Sequence, residues 1–220
     1  MSSKRSRSRG RFIVLEGIDG AGTTSQMRHV VEWLERRGEL VHATREPTDG
    51  PIGLMLRQVL RGRLVATPGL AKGDAKTQPL DPATVALLFA ADRLDHLQNE
   101  IVPQLDAGRH VVCDRYVLSS LAYQSLETDL RFVRNVNEKA LAPDLTIFLR
   151  VRAEVAMDRI ESSRTQKDTF EKLPLQKRIA ASYDKLIESY RDSKVVVLDG
   201  EEEMSMVTSR IRAALEILFD

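Results

Sequence analysis

The sequence predicts a three-layer α/β/α fold, with helices on both faces of a five-stranded parallel sheet and a lid segment inserted late in the chain. Three observations predict it. Short β-rich apolar runs recur along the 220 residues, they alternate with longer stretches of helical period, and neither an internal repeat nor a linker divides the chain.

Residues 1–10, MSSKRSRSRG, are basic and lead into no secretory apolar region, so they read as a disordered, solvated tail ahead of one domain over 11–220. Phe12 to Leu15 is the first strand. Ser25 to Arg37 follows as a helix, because Met27, Val30, Val31 and Leu34 form an apolar stripe and Gly38 sits where such a helix stops. Leu40 to Thr44 is the second strand and Ile52 to Leu60 the second helix. Thr67 to Pro82 holds three prolines and two glycines without any period and reads as a surface loop. A long helix is expected from Ala83 to Leu105, bent near Pro103. The third strand is His110 to Cys113, and a helix over Asp129 to Leu141 leads to the fourth, Leu145 to Leu149. After a helix over Glu154 to Glu161 comes the polar stretch Ser162 to Lys172, with Arg164, Lys167, Asp168 and Glu171, whose length and polarity suit a lid. Pro174 to Tyr190 is helical, Val195 to Leu198 is the fifth strand and Ser205 to Leu218 the last helix. All five strands are short and mostly apolar, as expected of strands covered on both faces.

Composition excludes several classes of function. Lys and Arg number 33 against 32 Asp and Glu, a net charge of +1, which leaves no electrostatic footprint for nucleic acid or a membrane surface. The longest uncharged apolar stretch, Ala83 to Ala91, falls far short of the ~20 residues that cross a bilayer. Cys113 is the one cysteine, so no internal disulfide can form, and a reducing, cytoplasmic setting is expected.

The first strand runs into Glu16-Gly17-Ile18-Asp19-Gly20-Ala21-Gly22-Thr23-Thr24-Ser25 and then a helix, the context that a phosphate-binding loop (P-loop) requires. Glycines let successive amides turn inward around an anion, and the helix N-terminus adds partial positive charge. Thr24 stands where the pattern G-x-x-x-x-G-K-[ST] places the hydroxyl that ligates Mg²⁺. Thr23 occupies the lysine position, which removes a cation from the β- and γ-phosphates. Asp114-Arg115-Tyr116 leaves the C-terminal end of the third strand, the edge where ligands bind in open α/β sheets. There Asp114 can hold Mg²⁺ through water and Arg115 can grip a phosphate with its planar fork. Phe89 and Arg93 lie four apart on the long helix and share a face, suited to stacking on a base and hydrogen bonding to it. Arg45-Glu46-Pro47 ends the second strand, with the proline fixing the turn.

Taken together, EGIDGAG, TREP, LLFAADR, DRY and SSLAYQ occur in an order and spacing that resembles thymidylate kinase, a family of P-loop nucleoside monophosphate kinases, over roughly Arg11 to Leu218. The resemblance implies transfer of the γ-phosphoryl group of ATP to dTMP, giving dTDP and ADP, with Mg²⁺ as cofactor and a homodimer as the assembly. It implies that Gly17 to Ser25 bind ATP, with Mg²⁺ on Thr24 and Asp114. It places Arg45 and Arg57 on the acceptor phosphate with Arg115, Glu46 and Pro47 beside the metal and phosphates, and Asp19 near the sugar 3′-hydroxyl. Phe89, Asp92 and Arg93 would line the thymine pocket, and Ser119, Ser120 and Gln124 would face the nucleotide.

The chain departs from the family at three points. Thr23 replaces the lysine; the lid reads Asp168-Thr169-Phe170-Glu171 where the family has D-R-x-E; and Arg150 ends the fourth strand where an aspartate is common. Arg150 or Arg164 is the expected replacement for the missing charge, with Arg159 and Lys167 as alternatives and Arg164 as the lid arginine closing over the transferring group. Two other readings stay open on the sequence alone: a degenerate kinase that holds a nucleotide without transferring phosphate, and a kinase for another monophosphate.

Overall fold

The computed structural model describes residues 8–66, 77–163, 172–189 and 194–219. Five parallel strands, β1 (Phe12–Gly17), β2 (Val41–Arg45), β3 (His110–Asp114), β4 (Leu145–Arg150) and β5 (Val195–Asp199), form one sheet in the order β2-β3-β1-β4-β5. Each begins within one residue of its expected start and runs one or two residues further, so that Gly17, Arg45, Asp114 and Arg150 belong to strand ends. In register, Leu15 lies beside Asp114 and Gly17 beside Leu149, which brings the ends of β1, β3 and β4 to one edge. β1 is buried at every position and β3 and β4 at nearly every one; the edge strands β2 and β5 are only half-buried. Full burial on both faces is thus a property of the three central strands.

The helices are α1 (Thr23–Arg36), α2 (Pro51–Leu60), α3 (Pro82–His96), α4 (Val102–Asp106), α5 (Val117–Gln124), α6 (Leu130–Val136), α7 (Ala153–Ser163), α8 (Leu173–Ser189) and α9 (Met204–Phe219). One core cluster joins Ile13, Leu15, Val112 and Ile147 of the sheet to Val30, Leu34, Ile179, Tyr183 and Ile211 of α1, α8 and α9; a second packs Phe12, Val14 and Val111 against Ile101 and Leu105.

Three expectations are corrected. The long helix is interrupted: a π-helical turn, Leu97–Ile101, separates α3 from α4, and Val102 N–H bonds to the Leu97 carbonyl. Pro103 has no N–H and its ring crowds the carbonyl four residues back, so the helix widens by one residue ahead of it and does not merely bend. The helix expected to reach Leu141 stops at Val136, because the Asn137 side chain turns back to the Val133 carbonyl and across to Arg93. At the start of the described residues, Arg9 pairs with Asp106 and Gly10 N–H bonds to the Leu105 carbonyl. Asp81, expected in a loop, caps α3 by accepting from Ala83 and Thr84 N–H.

Candidate active site

The loop between β1 and α1 closes around a cavity of about 570 Å³ lined by residues 19–26, Asp114, Arg115, Leu149, Arg159, Ile160, Gly200, Glu202, Met204 and Val207. Two glycines shape it. Gly22 takes φ +94° as the N-cap of α1, and Gly20 takes φ +81° where a Cβ would come within 2.4 Å of the Ala156 carbonyl oxygen. Leaving the first turn of α1 facing this cavity presents amide donors to an anion.

Thr24 and Asp114, the two expected metal ligands, meet here: Thr24 Oγ1 donates to Asp114 Oδ2 at 2.5 Å. Asp114 Oδ1 is buried with no hydrogen-bond partner. An orphaned carboxylate oxygen beside a hydroxyl, at the mouth of a phosphate loop, is an oxygen donor set that fits Mg²⁺. Its neighbour Cys113 is also buried; burial pushes the thiol well up, so it stays protonated and inert.

Arg115 holds φ 71°, an uncommon conformation for a side chain of this size. The strain is held by surrounding bonds: Arg115 N–H to the Leu15 carbonyl at 2.9 Å, and Tyr116 N–H to Glu16 Oε1 at 2.9 Å. Its guanidinium donates to Asp19 Oδ1 at 2.6 Å, the Gly17 carbonyl at 2.8 Å and Ser119 Oγ at 3.3 Å. Asp19 Oδ2 accepts from Gln176 at 3.0 Å, so both of its oxygens are engaged.

Glu16 and Gln176 were not among the expected site residues. Glu16 is fully buried and accepts from Tyr116 N–H, Ser119 N–H, Ser119 Oγ and Tyr183 Oη. Burial raises its carboxyl, opposed by the Ser119 hydrogen bonds, the Arg115 charge and the Tyr183 hydroxyl. The signals for both were present: Glu16 continues a strand buried on both faces, and Gln176 lies on one stripe of α8 with Ile179, Tyr183 and Leu186.

On the acceptor side, Arg45 is exposed and Arg57 is mostly covered, and both converge on Asp49, at 3.2 and 2.6 Å. Arg57 also donates to the Pro47 carbonyl at 2.8 Å. Glu46 does not project into the cleft beside the metal. It is buried, with Oε2 2.6 Å from Arg93 and Oε1 3.2 Å from His96 Nδ1. Asp92 likewise faces protein: it accepts from Thr48 N–H at 2.8 Å and Thr48 Oγ1 at 2.6 Å, pinning the loop that carries Arg45 to Pro47.

Phe89 is half-buried on α3. Arg93, four residues on, is buried, and its terminal nitrogens go to Asn137, Glu46, the Tyr116 carbonyl and Ser120 Oγ. Its Nε and the Oε1 of Gln124 are buried without partners, one donor and one acceptor on residues linked through Ser120 and α5. Ser119, in contrast, points to Glu16 and Tyr183.

The cation candidates separate clearly. Arg150 is bonded to Asp184 at 2.9 Å and lines a different groove with Arg152 and Lys177. It is therefore withdrawn as the substitute for the missing lysine. Arg164, Lys167 and the stretch Asp168 to Glu171 lie outside the described residues. Arg159 lines the loop cavity itself.

The thymidylate kinase family model matches residues 15–211. A probable thymidylate kinase of Thermococcus kodakarensis is 40% identical over 209 residues, covering 94% of this chain and 98% of its own. A thymidylate kinase of Trichormus variabilis is 35% identical over 213 residues, covering 94% and 95%. The glycine loop, the Thr24 and Asp114 pair and the Arg115 and Asp19 pair lie at one sheet edge within the matched residues, and on a family model and relatives that cover nearly its whole length the chain belongs to the thymidylate kinase family.

Proposed function

We propose that this protein transfers the γ-phosphoryl group of ATP to the 5′-phosphate of dTMP, giving dTDP and ADP. The observation that carries the reading is the meeting of Thr24 and Asp114 at the mouth of the glycine loop, with Asp114 Oδ1 buried and unpartnered. Thr24 and Asp114 would hold Mg²⁺. Held there, Mg²⁺ would supply positive charge to offset the negative charge that redistributes over the phosphates during transfer.

The chain's own residues do the positioning. Amides from Gly20 to Thr24 cradle the donor phosphates. Arg115, already oriented by Asp19 and Ser119, is placed to take the acceptor phosphate, and Arg45 and Arg57 can exchange Asp49 for the same group. Asp19, held on both sides, suits a hydroxyl of the acceptor sugar. Phe89 offers a stacking face. Arg93 Nε and Gln124 Oε1 offer a donor and an acceptor that match a carbonyl and an N–H of thymine. A homodimer and a cytoplasmic setting complete the reading.

Steady-state transfer from Mg·ATP to dTMP, dUMP and dCMP tests it. Turnover selective for dTMP is expected. Nucleotide binding without turnover would refute the reading in favour of a degenerate kinase.

A further inference from the structure

Thr23 is buried at the position where a lysine would reach the β- and γ-phosphates, so this cavity needs its positive charge from elsewhere. Among the described residues that line it, two are cations, Arg115 and Arg159. Arg115 is committed to Asp19, the Gly17 carbonyl and Ser119 on the acceptor side. The acidic residues lining the cavity are Asp19, Asp114 and Glu202, and Glu202 is already bidentate with Arg210 at 2.6 and 2.7 Å. Arg159 makes no hydrogen bond or ion pair with any described residue; its field only helps to lower the Glu201 carboxyl, which is itself bonded to Arg152.

The position of Arg159 is fixed by packing. Gly20 lies so close to α7 that a Cβ there would meet the Ala156 carbonyl oxygen at 2.4 Å and Ile160 Cγ1 at 3.0 Å. Arg159 falls three residues after Ala156, so it shares the helix face that the phosphate loop leans on. A half-buried guanidinium on a helix, spent on no carboxylate among the described residues, beside a loop lacking its lysine, is charge held ready for an anion.

We propose that Arg159 supplies the terminal phosphates of the donor nucleotide with the positive charge that Thr23 does not, and so acts as a catalytic residue of the donor site. The proposal rests on the reading of this cavity as the ATP site.

The test compares wild type, Arg159→Ala, Thr23→Lys and the double variant. Turnover of dTMP is measured at varied ATP, and binding of Mg·ATP and Mg·ADP by titration calorimetry. Arg159→Ala should lower kcat/KM for ATP by about 100-fold, with the KM for dTMP unchanged, as loss of a transition-state cation does. Affinity for ATP should fall more than affinity for ADP, a difference that a purely structural role would not produce. Thr23→Lys in the Arg159→Ala background should restore kcat/KM to within about 10-fold of wild type, which a misfolded variant could not show. Equal loss of ATP and ADP affinity, a kcat/KM within about 3-fold of wild type, or failure of Thr23→Lys to rescue would overturn the proposal. If wild type does not phosphorylate dTMP, the functional reading fails separately, and the ATP against ADP comparison still decides the role of Arg159.

Discussion

Replacing Glu46 by alanine strips the carboxylate from an ion pair whose side chains are only 3% and 2% exposed. Arg93 then stays buried with three neutral acceptors, Asn137, Ser120 and the Tyr116 carbonyl, and His96 Nδ1 loses the oxygen 3.2 Å away. Removing one member of a buried pair costs about 3–5 kcal/mol, since the remaining charge is stranded in low dielectric. The three acceptors left to Arg93 hold the loss near the lower end, about 3 kcal/mol. For a chain of this length that is a fall in Tm of roughly 6–12 °C. Urea denaturation should show a lower midpoint at unchanged slope. The double variant Glu46→Ala/Arg93→Leu removes both charges, and should be less destabilised than the sum of the single losses by more than about 1 kcal/mol. Single losses that add to within about 0.5 kcal/mol would refute the claim that these side chains are energetically one unit.

Two further outcomes follow from the site. Burial holds the Glu16 carboxyl above 4.5 in the folded protein, so as pH rises the unfolded chain releases this proton first and stability falls until the folded group has titrated. The stability difference between wild type and Glu16→Gln, followed by urea denaturation as pH is raised, should therefore decline and level off once the folded group has titrated; a difference that rises with pH contradicts the assignment. Gln176→Leu removes the donor to Asp19 Oδ2 while filling the same stripe of α8. Stability should change by less than about 1 kcal/mol, because Asp19 is 28% exposed and water can take the bond. Turnover should fall about 10-fold through loosened orientation of Asp19 and Arg115, with the KM for ATP unmoved. Unchanged kcat would show that Gln176 only packs.

The strands and the phosphate loop were legible because their physics is local. A strand covered on both faces must be mostly apolar, and a loop that turns amides inward must be rich in glycine. Thr24 and Asp114 could be paired from sequence because each stands at a strand end or helix start whose place in an α/β sheet is fixed by topology. Glu46 and Asp92, expected to face the ligand, are buried against protein for one common reason. Charged residues are mostly exposed or ligand-facing, so nothing local marks a carboxylate that will be buried against a partner 44 or 47 residues away. The π-helical turn was half legible: Pro103 announces a disturbance, but whether the helix kinks or widens depends on what its face packs against.

Those buried charges also explain why the site can stand open and still be ordered. β1 and β2 each flank β3, and a buried glutamate stands near the C-terminal end of each, Glu16 within β1 and Glu46 just after β2: Glu16 holds the N–H groups of Tyr116 and Ser119, and Glu46 holds Arg93, which in turn grips the Tyr116 carbonyl. Tyr116 is therefore fastened at its N–H by Glu16 of β1 and at its carbonyl by Arg93 of α3, which Glu46 holds. The residue before it, Arg115, can then sit at φ 71° with its guanidinium aimed at Asp19. Desolvating two carboxylates costs stability, and a hydrophobic replacement would recover some of it. What such a replacement could not supply is a directional bond to both the N–H and the carbonyl of one residue, and the strained arginine beside it, aimed at Asp19, is held in place by those bonds.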